Sequence, residues 1–160
     1  MTSVRCLSGV MALCVGLSAG AAWADNDPAA NPFVGRWHWN RAQSTLAAGE
    51  PIPDDMTAEI SDADGLHLKW SLAVLPPPAS PAIESFNAPA NGDFYPVSSD
   101  TTAAFRLTRS SLRATFKSPN GETDAMTCTV AADQKTMRCR GVLSDEAGNS
   151  ASYVDVYDRM

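Results

Sequence analysis

The sequence predicts an all-β protein, an up-and-down antiparallel barrel of about eight or nine short strands with one short helical turn near its start. Three observations predict it. Beyond residue 32, apolar and polar side chains alternate with the two-residue period of a strand almost throughout. Clusters of Gly, Asn, Asp and Pro interrupt that alternation at short intervals. Connections so short join antiparallel neighbours, and a meander of this size sheds its exposed edges most simply by closing on itself. A β-sandwich is the competing all-β arrangement; the short connections favour the barrel.

The first 24 residues stand apart from this pattern. Arg5 is their only charge, Cys6 to Ala22 form an uncharged and mostly apolar run, and Ala22-Trp23-Ala24 has the small-x-small form that signal peptidase accepts. Ser8, Gly9, Gly16, Ser18 and Gly20 break the run, which argues against a retained spanning helix. Residues 1–24 therefore read as a cleaved, bacterial Sec-type signal peptide, and the protein as periplasmic or secreted. Removing 24 of 160 residues leaves 136, and the loss of Arg5 takes the net charge from -6 to -7. Nothing later in the sequence is long and apolar enough for stable membrane insertion.

After a short leader, residues 25–32, a single domain is expected over 33–160. Its first strand, Val34 to Asn40, places Trp37 and Trp39 on one face and Arg36 and His38 on the other. Asn40 then caps a short helical stretch reaching Leu46. Met56, Ala58 and Ile60 alternate with Thr57 and Glu59; after the turn Asp62-Ala63-Asp64-Gly65, Leu66, Leu68, Trp70 and Leu72 alternate with His67, Lys69 and Ser71. The Pro-rich segment 76–81 cannot donate ladder hydrogen bonds and marks a stiff connector. Ile83 to Ala88 reads as a strand and Asn91-Gly92-Asp93 as a turn. Alternation resumes at Phe105 and Leu107, then at Leu112, Ala114 and Phe116, and a final strand centres on Tyr153 to Tyr157.

Cys6 and Cys14 leave with the signal, so Cys128 and Cys139 remain, and two cysteines in an exported chain are expected to pair. The local pattern supports the pairing. If the turn of this hairpin centres on Asp133-Gln134, Val130 faces Met137 and Cys128 faces Cys139, with all four on one sheet face. The bridge is then a structural staple, since the redox spacing C-x-x-C is absent.

The run Asn31-Pro32-Phe33-Val34-Gly35-Arg36-Trp37-His38-Trp39-Asn40 resembles the opening of lipocalin-like proteins, in which an aromatic residue precedes G-x-W on the first strand. In particular it resembles small exported bacterial proteins of unassigned function that begin N-P-F-x-G-T-W-K-L-N-x-x-K-S. Asp93-Phe94-Tyr95-Pro96-Val97 and Val154-Asp155-Val156-Tyr157 are similar to that group's D-Y-P-V and V-x-V-Y segments. The resemblance implies a calycin-type barrel with Trp37 packed near its closed end. His38 and Trp39 depart from the group's Lys and Leu, and a second aromatic at Trp39 would narrow any cavity.

No catalytic motif is present. G-x-S-x-G, H-E-x-x-H, the P-loop and the dinucleotide fingerprint are all absent, and no residues are assigned to catalysis, to a metal or to a cofactor. His38 and His67 fall on the polar sides of their strands, and the acidic pairs Asp54-Asp55 and Asp62/Asp64 are explained by turns. An acidic chain argues against nucleic acid as a partner. Arg106, Arg113, Lys117, Arg138 and Arg140 fall on polar faces and make one basic stripe, read as solvated exterior with an anionic envelope partner as the alternative. The interior is the expected seat of function. Trp39, Trp70, Phe86, Phe105, Phe116 and Tyr153 are the candidate contacts for a small apolar ligand, in a barrel just wide enough to hold one. A ligandless structural or interaction module of the envelope is the alternative, and a small hydrolase or isomerase comes third. Oligomeric state is not legible in the sequence.

Overall fold

Alternation becomes strand nearly everywhere in the computed structural model, which describes residues 31–64, 66–75 and 82–160. The signal-like segment, most of the leader, Gly65 and the Pro-rich connector 76–81 lie outside the described residues. Ten strands follow in chain order: β1 Gly35–Trp39, β2 Asp55–Ala63, β3 His67–Leu75, β4 Ala82–Pro89, β5 Asn91–Pro96, β6 Thr102–Leu107, β7 Leu112–Lys117, β8 Thr123–Val130, β9 Thr136–Ser144 and β10 Ser150–Arg159. They form one antiparallel sheet ordered β4-β3-β2-β1-β10-β9-β8-β7-β6-β5. The sheet curls into a nearly closed barrel. Where its ends meet, the Ser85 amide donates to the Val97 carbonyl at 3.1 Å, and Phe86 packs edge-on to Tyr95 with ring centroids 5.8 Å apart.

The count exceeds the expected eight or nine by β5. Asn91-Gly92-Asp93, read as a turn, is instead the start of that strand: Gly92 has φ of +88° and the β5–β6 register shifts between Asn91 and Phe94. Turn chemistry here makes a bulge at a sheet edge, a device the sequence does not separate from a true turn. The helical stretch is also shorter than expected. It is a single 3-10 turn, Arg41–Gln43, with the Asn40 side chain accepting from the Gln43 amide at 3.2 Å. Beyond it Thr45 pairs with Val154, so the turn interrupts a β1–β10 ladder that had already joined Trp39 to Tyr157. Leu66, expected on the inner face, is 81% exposed because β3 begins only at His67.

A buried cluster forms around the start of β1. Trp37 is fully buried, donates from Nε1 to the Phe33 carbonyl at 2.9 Å, and carries the Arg159 guanidinium 4.1 Å above its ring. Arg159 also donates to the carbonyls of Val34, Pro32 and Gln134. Gly35 makes room for this fork, since its φ is +147° and a Cβ there would collide with the Arg159 side chain. In the β8–β9 hairpin Cys128 opposes Cys139 and Val130 opposes Met137, the expected register, and the two sulfurs are joined.

Candidate functional site

Strand period alone decides which side chains face inward, and the inner face encloses a cavity of about 970 Å³, partly open to solvent. Its apolar wall includes Met56, Ala58 and Ile60 of β2, Trp70 and Leu72 of β3, and Leu112 and Phe116 of β7. The aromatic groups brace one another: Trp70 lies 5.5 Å from Phe105 and 5.7 Å from Phe116, and Phe86 lies 4.4 Å from Phe105, centroid to centroid. The segment between the 3-10 turn and β2 adds Leu46, Ala47, Pro51 and Ile52 to the lining.

The opposite wall is polar. On β10, Tyr153, Asp155 and Tyr157 share the inward face, and on β8 so do Asp124, Met126 and Cys128. Tyr153 stands opposite Gly141 of β9, and a Cβ at Gly141 would fall within the Tyr153 ring. Because Gly141 lacks one, the ring crosses β9 and its hydroxyl donates to the Asp124 carboxylate, 2.8 Å from each oxygen. Asp155 accepts from Trp39 Nε1 at 2.9 Å through Oδ1.

Burial dominates the electrostatics. It pushes the Asp124 carboxyl up to about 6, against the lowering effect of the Tyr153 hydrogen bond, with Asp155, Glu84 and Glu50 adding like-charge repulsion. Glu84 and Asp155 are also raised, chiefly by burial. Burial raises the hydroxyls of Tyr153 and Tyr157, so both stay protonated. Among the described residues lining the cavity are Glu50, Glu84, Glu122, Asp124, Asp145 and Asp155, and there is no Lys, Arg or His. No group of three or more His, Cys, Asp or Glu side chains among the described residues is placed to hold a metal ion.

Of the six aromatic residues expected to meet a ligand, Trp70, Phe116 and Tyr153 line the cavity. Phe86 and Phe105 sit behind them in the aromatic cluster, and Trp39 sits behind Asp155, so Trp39 does not narrow the cavity as expected. His38 and His67 face outward and contact Asp55 and Asp62 at 3.0 and 3.1 Å. The basic stripe lies outside: Arg106 pairs with Arg113 across β6–β7, and Arg113 and Arg140 both flank Thr127. The sequence reading missed the interior carboxylates. Parity was the available signal, since Glu84 alternates in step with Phe86, Asp124 with Cys128, and Asp155 with Tyr153 and Tyr157.

Solved structures share this fold. The wild-type fluorescent protein UnaG superimposes with a TM-score of 0.52 at 14% identity, covering 80% of this chain and 97% of that one. A point mutant of UnaG gives 0.54 at 16% identity, covering 81% and 96%. A redesigned β-barrel gives 0.52 at 8% identity, covering 81% and 92%. No protein-family model matches the chain, and no curated protein matches it. The class so defined is a nearly closed antiparallel β-barrel with an interior cavity. Among the described residues, no helix is long and apolar enough to cross a membrane.

Proposed function

We propose that this protein is an exported, lipocalin-like carrier that binds a small apolar molecule inside its barrel, in the periplasm or outside the cell. One observation carries the reading. The cavity of about 970 Å³ is at the upper end of what small-molecule sites enclose, and it sets an aromatic and aliphatic wall against a polar one. A barrel built only for structure fills such a space with side chains. Export is supported by the signal-like first 24 residues and by the paired cysteines.

Native mass spectrometry of the protein purified from its own compartment tests this. A stoichiometric small molecule is expected, and because Trp70 lines the cavity, its displacement or addition should change tryptophan fluorescence. A ligandless envelope module predicts neither. The reading as a small hydrolase or isomerase draws on one observation: a half-buried carboxylate pushed up to about 6, Asp124, faces the cavity as a general base would. Recovery of the bound molecule chemically unchanged after prolonged incubation favours the carrier; conversion to product favours the enzyme.

A further inference from the structure

The polar wall of the cavity bears one sign of charge. Glu84, Asp124 and Asp155 face inward and the exposed Glu50, Glu122 and Asp145 add to the lining, with no Lys, Arg or His among the described lining residues, which makes the interior hostile to a fatty acid or any other anionic head group. Tyr157 is an independent observation at the same place. It is 6% exposed, lines the cavity, and its hydroxyl has no hydrogen-bond partner among the described residues. No side-chain nitrogen or oxygen among them is both sealed from solvent and unpaired, so this hydroxyl keeps a small exposed surface on an otherwise buried residue. Two residues away on the same face, Asp155 commits Oδ1 to Trp39, while Oδ2 has no partner among the described residues.

Resting on the carrier reading above, we propose that the cavity selects amphiphiles whose polar end is a protonated amine, held by Asp155 and Asp124 with the Tyr157 hydroxyl as an accepting partner. An ammonium group supplies N–H donors to a carboxylate oxygen and a hydroxyl, and its charge offsets the repulsion among the buried acids. The apolar tail then lies along Met56, Ile60, Trp70 and Phe116. The cation is organic, because the carboxylates are too dispersed to surround a metal ion.

Three probes of equal chain length, dodecylamine, dodecanol and dodecanoic acid, each below its micellar concentration, separate the possibilities when titrated at pH 7.5 against tryptophan fluorescence. The amine is expected to bind about tenfold or more tighter than the alcohol, and the acid most weakly of the three. Asp155→Asn and Asp124→Asn should each weaken the amine about tenfold more than they weaken dodecanol, and a retained near-ultraviolet circular dichroism spectrum reports that each variant is folded. The groups facing Asp124 are Tyr153 and Asp155 from β10, Glu84 from β4 and Glu50 from the segment before β2, with Tyr157 close by. As Asp124, pushed up to about 6, protonates between pH 7.5 and 5, the preference for amine should shrink, since a primary alkylamine, like lysine, stays charged over that range. Equal affinity for amine and alcohol, or tighter binding of the acid, overturns the proposal and leaves apolar binding standing. If none of the three probes binds, both readings fall.

Discussion

Asp124 is a carboxylate whose environment penalises its own charge. It titrates near 6 in the fold against 3.8 for an ordinary aspartate, so between those values the folded protein keeps a proton that the unfolded chain has released. Its contribution is therefore most favourable below about pH 4, declines as pH rises to about 6, and stays low at neutrality, a difference on the order of 3 kcal/mol. Glu84 and Asp155, raised by burial, act in the same direction. Asp64 and Asp145, held low by turn hydrogen bonds, add stability that is lost only on further acidification, as pH falls below 3.8. Without ligand the protein should melt higher at pH 4.5 than at pH 7.5, and Asp124→Asn should raise the melting temperature at pH 7.5 and flatten the profile. An unchanged profile in that variant would remove Asp124 from the account. Around Trp37, Arg159→Ala should cost about 2 kcal/mol through lost stacking on the ring and three orphaned carbonyls, and Arg159→Lys should recover little because lysine lacks the fork. The urea midpoint measures both.

Among the elements, the β8–β9 hairpin is the one whose sequence specifies it most completely. Alternation fixes the faces, the turn residues fix the centre, and together they oppose Cys128 to Cys139. Gln134 adopts φ of 58° at that turn, a conformation polar residues reach at modest cost. The bridge closes a loop with a sequence separation of 11, so its reduction, or the double change Cys128→Ser and Cys139→Ser, should lower stability by about 2 to 4 kcal/mol with the fold retained. A thiol count of two beyond residue 24 in protein purified under native, non-reducing conditions would instead show that the pair is not oxidised. The β4–β5 junction is the opposite case. Nothing in Asn91-Gly92-Asp93 states that its turn chemistry serves a bulge, because whether such residues reverse a chain or kink a strand depends on β6 lying alongside.

Across the whole molecule, stability should be uneven. β8, β9 and β10 are joined by long continuous ladders, whereas β4 and β5 meet through the Ser85 to Val97 bond and the packing of Phe86 on Tyr95. Amide hydrogen exchange should therefore be fastest, among the strands, in β4 and β5, and a bound ligand should slow it. Exchange in β4 as slow as in β9 would show that the barrel closes more tightly than its hydrogen bonds indicate.

The sequence by itself determined the all-β class, the hairpin register at the cysteines and which aromatic residues turn inward, because these follow from a two-residue period and from turn chemistry, both local properties of the chain. Only the tertiary structure decided that Tyr153 crosses Gly141 to reach Asp124, that Trp39 serves Asp155 instead of filling the cavity, and that no Lys, Arg or His among the described residues faces the inward carboxylates. Those outcomes depend on strands far apart in sequence being set side by side, and on how much space their side chains leave between them.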